Sequence, residues 1–371
     1  MSTMKWIAVG VLAARLAAQT AALPSPEIRV VEVTDHPGQS YAMFVPSTYS
    51  TTRAWPILYC LDPGARGRAA VEPFAAAAEK AGFLVAGSNN SRNGPLAPSV
   101  EAIRLMLAHT HETYSIDDSR VYVAGLSGGA RLALGWASQN SNIAGVVASS
   151  AGFGGSIPKQ ISFRIFFTTG VDDFNHDELY RLSRELARRN VPHRYAEFEG
   201  GHEWLPPSLA DEAFAYFAGT VPPQPAPASK EAERLASQYD ALIAKVQSGD
   251  MTVLKQMQKD AARSEDSPER RLARRVRGGI FVESMEHIRD LMAKKQYEEA
   301  ARAAEVAVAA RAESPNAWYT LAVAQAGAGY TKRALESLEQ AVAKGFGNWE
   351  LAGQEPLLAK ARRDPRYPKP K

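Results

Sequence analysis

Between residues 28 and 219, short apolar runs of strand length alternate with segments whose apolar residues recur at helical spacing. The runs are IRVVEVTD, SYAMFVP, WPILYCLD, FLVAGSNN, RVYVAGLS, IAGVVASSAG, FRIFFTTG and HRYAEFEGG. From the third run onward the helical segments AAVEPFAAAAEKAG, PSVEAIRLMLAHTHETY, GARLALGWASQ, DELYRLSRELARRN and LADEAFAYFAG are interleaved with them. Parallel strands need crossover helices, and those helices cover both faces of the sheet. The alternation therefore predicts an α/β domain with a mostly parallel eight-stranded sheet and helices on both faces.

At 371 residues the chain suits one large domain plus a smaller one, and a hydrophobic fraction of 45% is enough for a sizeable core. A net charge of +3 over this length gives no electrostatic case for a nucleic-acid partner. The single cysteine, Cys60, can form no intramolecular disulfide. Its apolar neighbours predict a small buried hydrophobe and not a catalytic thiol.

The N-terminus, MSTMKWIAVGVLAARLAAQTAALPSP, has one Lys, an apolar alanine-rich segment interrupted by Arg15, and small residues before Pro24. This pattern predicts a secretory signal over residues 1–22, a secreted or periplasmic location, and no stable membrane span. The first domain is then 23–219. In GTVPPQPAPASK, Pro, Ala and Ser replace periodic hydrophobicity, which predicts a stiff, exposed linker over 220–229.

Residues 230–371 read as all-helical. With Trp318 as the fourth residue of a unit of 34, Leu321, Ala322, Ala334, Leu338 and Ala341 resemble the tetratricopeptide pattern, and Ala300, Ala304 and Ala307 fall at matching phases one unit earlier. The helices at 231–263 are expected to supply a degenerate third repeat or a cap. Such paired helices suit a protein partner. The basic run ERRLARRVR, residues 269–277, fits either a solvated helix face or a surface for an anionic partner.

The residues that can carry chemistry begin with VYVAGLSGGARLAL, residues 121–134. Here Gly125, Ser127 and Gly129 form a Gly-x-Ser-x-Gly between a strand and a helix. A serine on such a strained turn has its Oγ exposed at the top of the sheet, and small residues two before and two after let strand and helix backbones pass closely. A hydroxyl is a poor nucleophile near neutral pH and needs a base with an orienting acid. Asp173, beside its rival Asp172, lies just past the strand FRIFFTTG, and His202 lies just past HRYAEF. Both are at strand carboxyl ends, where open α/β sheets place their sites. His176 is a second candidate base, only three residues from Asp173, whereas His36, His109, His111 and His193 read as surface or packing residues.

An oxyanion hole requires backbone N–H donors. The expected donors are Gly128, which follows the serine, and Gly64 or Ala65 in the loop LDPGARGRAA after the third strand. Arg92 and Asn90 in SNNSRNGP face the site end of the sheet, as substrate contacts or as parts of a self-bonded turn, and Arg131 reads as a helix-surface residue. No cofactor or metal is implied.

Residues 28–219 resemble the α/β-hydrolase fold, and GLSGGAR, TTGVDDFN and GGHEW are most similar to secreted esterases grouped with polyhydroxybutyrate depolymerases and feruloyl or acetyl-xylan esterases. The resemblance implies Ser127 as nucleophile, His202 as base and an ester as substrate. Its usual Gly-x-x-Asp spacing, counted from Gly170, favours Asp173 over Asp172 as the acid. Many relatives carry His-Gly where this chain has Asp62-Pro63-Gly64, which makes Asp62 a structural candidate. Only about ten residues, 153–162, separate the sixth and seventh strands, so no large lid insertion is expected. A peptidase or acyltransferase would use the same acyl-enzyme, and a helical binding module on an inert hydrolase-like scaffold is the remaining alternative.

Overall fold

The computed structural model describes residues 27–368; the expected signal segment lies outside the described residues. Eight strands form one sheet: β1 (Ile28–Glu32), β2 (Ser40–Phe44), β3 (Trp55–Leu61), β4 (Leu84–Ser88), β5 (Ile116–Leu126), β6 (Ile143–Ser149), β7 (Arg164–Gly170) and β8 (His193–Phe198). Their order across the sheet is β1-β2-β4-β3-β5-β6-β7-β8. β1 and β2 pair antiparallel, as do β2 and β4, and every later pair is parallel.

Four helices lie between the strands, α1 (Gly67–Ala81), α2 (Leu96–Thr113), α3 (Gly128–Gln139) and α4 (His176–Arg188), and α5 (Pro207–Phe217) follows the last strand. Alternate residues of each buried strand point to opposite faces, and the sheet accordingly has two cores. Ile57, Tyr59, Val123 and Phe167 pack under α2, α3 and α4 with Ile103, Leu134 and Leu179. Leu58, Cys60, Ala124 and Phe166 pack under α1 and α5 with Phe74 and Phe214. β3 is followed in space by β4 on one side and β5 on the other, so the chain reverses its winding at the carboxyl ends of β3 and β5. Such a switch point opens a crevice for a ligand. This is the expected α/β-hydrolase architecture, and residues 150–163, between β6 and β7, contain no helix.

The proline-rich stretch is exposed at most of its residues but does not run free of the first domain. The Tyr195 amide donates to Gln224 O at 2.8 Å and the Gln224 amide to His193 O at 3.0 Å, while Ala226 is buried with its amide on Ser183 Oγ at 2.8 Å. The segment thus covers the outer edge of β8, which would otherwise present unpaired backbone groups.

Beyond it stand α6 (Lys230–Gln247), α7 (Thr252–Ala261), α8 (Pro268–Ala293), α9 (Tyr297–Ala310), α10 (Pro315–Gly327) and α11 (Thr331–Ala343). Ala300, Ala304, Ala307, Ala322, Ala334 and Ala341 are all completely buried between these helices. Small side chains at those places let helix axes approach closely. No helix among the described residues is long and apolar enough to cross a membrane.

Candidate active site

β5 runs into Ser127 and α3 starts at the next residue, so the chain reverses within one residue. Ser127 has φ 54° and ψ −121°, a sparsely populated conformation for a residue with a side chain. Its amide donates to Ser149 O at 2.9 Å, and its carbonyl accepts from Ala130 and Arg131 in the first turn of α3. The flanking glycines are sterically required: a Cβ on Gly125 would collide with the Gly129 carbonyl, and one on Gly129 with the Leu61 carbonyl of β3.

The loop after β7 carries Asp173, which is completely buried. Its Oδ1 accepts from His202 Nδ1 at 2.9 Å and from the Asn175 amide at 2.9 Å, while Thr169 Oγ1 donates to Oδ2 at 3.4 Å. A carboxylate only accepts, so in the neutral imidazole this bond places the proton on Nδ1 and the lone pair on Nε2. Glycine at the end of β7 permits the pairing: a Cβ on Gly170 would strike the Gly200 and Gly201 carbonyls of the histidine loop. Among the described residues His202 makes no hydrogen bond to Ser127.

The rivals are engaged elsewhere. Asp172 turns away and accepts from Arg274 Nη1 at 2.5 Å. His176 is buried, with Nε2 2.9 Å from Glu197 Oε1 and Nδ1 3.2 Å from Asp177 Oδ1. Burial and Arg275 oppose its charged form, but the hydrogen bonds with Asp177 and Glu197 outweigh them and raise its pKa. His193 bonds to Ser183 Oγ and Val191 O, and burial lowers its pKa. His109 sits between Tyr41 and Thr34, and His111 beside Asp118. Cys60 is buried, which pushes its thiol well up.

Of the expected oxyanion donors, the Gly128 amide begins α3 behind the serine. The amides of the other two are turned toward Asp62 in this structure. The Gly64 amide donates to Asp62 Oδ1 at 2.8 Å, and the Ala65 amide to Asp62 O at 3.1 Å. Asp62 is completely buried and also accepts from Arg66 Nε at 2.8 Å and Trp204 Nε1 at 3.0 Å. Burial alone would raise its pKa; the bonds from Arg66, Trp204 and Gly64 prevail and hold it below the usual carboxylate range. Since Trp204 lies two residues past His202, Asp62 ties the β3 loop to the histidine loop.

Leu126 borders a cleft of about 480 Å³ lined by Arg66, His202 and Trp204, and Gly128 borders another of about 490 Å³ lined by Asn93, Arg131, Trp136 and Phe153. Ser127 joins these two lining residues in the chain. Arg131 is fixed by two 2.8 Å bonds to Glu178 and one of 3.2 Å to Phe153 O, so it braces the second cleft. Asn90 bonds to the Ser40 amide and Gly38 O, pinning the β4 loop to the β1–β2 turn. Arg92 lines the second cleft with its side chain exposed.

Two features escaped the sequence reading. Phe174 stacks on His202, with ring centroids 4.1 Å apart and planes at 28°; its only signal was an aromatic residue directly after the candidate acid. The basic run on α8 divides: Arg271 pairs with Glu199 at 3.1 Å, Arg274 with Asp172 and Arg275 with Asp177 at 3.1 Å, whereas Arg270 pairs with Asp266 and Arg277 with Glu313 inside the helical domain. Three of its arginines thus meet carboxylates of the chain's own first domain.

No protein-family model and no curated protein matches the chain. Among solved structures it is similar to an S-formylglutathione hydrolase from Staphylococcus aureus, at 14% identity over 53% of this chain and 97% of that one, with a TM-score of 0.41. It is similar to a ferulic acid esterase at 17% identity over 53% and 98%, with a TM-score of 0.42. An acylaminoacyl peptidase from Pyrococcus horikoshii is similar at 10% identity over 58% and 44%, with a TM-score of 0.41. On its own strand order and crossovers, the first domain of this chain has the α/β-hydrolase fold, with Ser127, Asp173 and His202 at the carboxyl ends of β5, β7 and β8.

Proposed function

We propose that the protein is a serine hydrolase that cleaves carboxylic esters through an acyl-enzyme on Ser127. The observation that carries this reading is the 2.9 Å bond from His202 Nδ1 to the buried Asp173, on the same sheet end as a serine held at φ 54°. His202 Nε2 takes the Oγ proton as Oγ attacks the ester carbonyl carbon, and Asp173 stabilises the imidazolium that forms. The Gly128 amide donates to the oxyanion. The imidazolium then protonates the departing alkoxide, leaving an acyl ester on Ser127. Water attacks this ester with His202 as base, and the carboxylic acid leaves with Oγ reprotonated.

The two clefts beside Ser127 support a substrate with an arm on each side of its carbonyl. The apolar N-terminal segment supports a secreted or periplasmic location, and the alanine phases of the second domain support a tetratricopeptide-like fold. A panel of p-nitrophenyl esters of rising acyl length tests the reaction class. A nitrophenol burst stoichiometric with enzyme, and hydroxamate formation when hydroxylamine competes with water, are expected. Intact protein that cleaves peptides and no ester would contradict the reading.

A further inference from the structure

The loop that follows β7 faces two ways. Asp173 and Phe174 meet His202, whereas Val171 and Asp172 meet α8 of the second domain. Arg275 Nε donates to Val171 O at 2.7 Å and its Nη1 pairs with Asp177 at 3.1 Å. Arg275 is 5% exposed, and a guanidinium so enclosed depends on these partners. Arg274 Nη1 reaches Asp172 Oδ2 at 2.5 Å, while Asp172 Oδ1 is buried without a hydrogen-bond partner among the described residues. Arg274 therefore compensates a half-buried carboxylate next in sequence to Asp173.

Gly278 lies one helical turn after Arg274 and on the same face. A Cβ there would stand 3.4 Å from both Cβ and Cδ1 of Phe174, so α8 backs Phe174 with bare backbone. The ring of Phe174 in turn lies against His202. Two continuous paths of contact thus run from α8 to the acid–histidine pair, one through ion pairs and one through an aromatic ring.

We propose that α8 positions the acid and base of the site: Arg274 and Arg275 are positioning residues, and Phe174 transmits the packing of the helical domain to His202. The second domain is then a working part of the enzyme. This rests on the proposed function only where activity is the readout, because the His202–Asp173 bond can be followed without substrate.

The test uses the full chain with Arg274→Gln, Arg274→Lys, Gly278→Leu and the double variant Asp172→Asn/Arg274→Gln. Thermal unfolding, the His202 Nδ1–H proton resonance (identified by its loss in His202→Gln), and kcat and KM for p-nitrophenyl acetate are measured. Arg274→Gln and Gly278→Leu are expected to move or broaden the resonance and to lower kcat roughly tenfold or more with little change in KM, since small misplacements of reacting groups are costly. Arg274→Lys and the double variant are expected to recover most of the loss, because neither leaves Asp172 charged and unpaired. Folded Arg274→Gln and Gly278→Leu proteins with native resonance and native kcat would overturn the proposal. If Arg274→Gln does not fold, Gly278→Leu decides, because it removes no member of an ion pair. A native protein without esterase activity would defeat the functional reading alone, and the resonance would still decide the positioning.

Discussion

Phe174 lies flat on the His202 imidazole, with centroids 4.1 Å apart, so the residue after the acid also holds the base. The pair gives His202 two fixed contacts, one through Nδ1 and one through its ring face. Phe174→Ala removes the second and leaves the first. It is expected to lower kcat by about one order of magnitude, with destabilisation nearer 1 kcal/mol than the larger cost of a fully enclosed Phe, because His202 borders an open cleft. Steady-state kinetics beside thermal unfolding check this; an unchanged kcat would count against the role of the stack.

The pairing of buried His176 with Glu197, whose side chain is 42% exposed, predicts a modest pH window for stability. His176 has a raised pKa, so its contribution is complete below the ordinary 6.5 and fades as pH rises through the folded value. For Glu197, burial opposes ionisation but the His176 and Tyr195 bonds prevail and lower the pKa, so its contribution is complete above the ordinary 4.5 and fades on acidification. Asp177 and Arg275 face the same cluster. The melting temperature lost in His176→Gln should therefore be greatest near about pH 5.5 and shrink above neutrality. A loss independent of pH would show that the pair is not titrating as described.

Asp62 gathers Arg66, Trp204 and the Gly64 amide around one enclosed carboxylate. Asp62→Ala leaves the Trp204 and Gly64 donors unsatisfied, at about 1–3 kcal/mol for a buried group. Since Arg66 is largely exposed, its freed charge adds little. Denaturant unfolding should show a fall of about 2 kcal/mol or more, and activity should drop with it because the tie to the histidine loop is cut. A variant as stable as the native protein would contradict this account of Asp62.

The backbone at Ser127 suits glycine better than serine. A non-glycine residue in such a region costs on the order of 1–3 kcal/mol, so Ser127→Gly should be more stable than the native chain by about 1 kcal/mol while losing ester hydrolysis. A destabilised Ser127→Gly would mean that the turn is not strained.

The strands and helices of the first domain were legible because each buried strand is a continuous apolar run and each helix has one apolar stripe. The triad candidates were legible because the nucleophile turn demands Gly125 and Gly129, and because acid and base each follow a strand end. The Gly-x-x-Asp spacing of the resemblance favours Asp173 over Asp172, but it does not reveal the partner more than 100 residues away, Arg274, that Asp172 turns to. In the loop after β3, the engagement of the Gly64 amide by the Asp62 carboxylate and of the Ala65 amide by the Asp62 carbonyl is a local competition that small residues do not advertise. The proline-rich stretch has the composition of a tether, yet the free edge of β8 draws it into backbone pairing. The arginines of α8 show the same limit, because charge in a helix does not reveal which surface will neutralise it.

The most direct measurement is covalent labelling by a serine-reactive fluorophosphonate, with hydrolysis of p-nitrophenyl acetate followed in parallel, on the native chain and on Ser127→Ala. The account predicts one label per chain located at Ser127, and loss of both labelling and hydrolysis by at least about three orders of magnitude in the variant. Hydrolysis by Ser127→Ala at the native rate, or a label found on another residue, would contradict it.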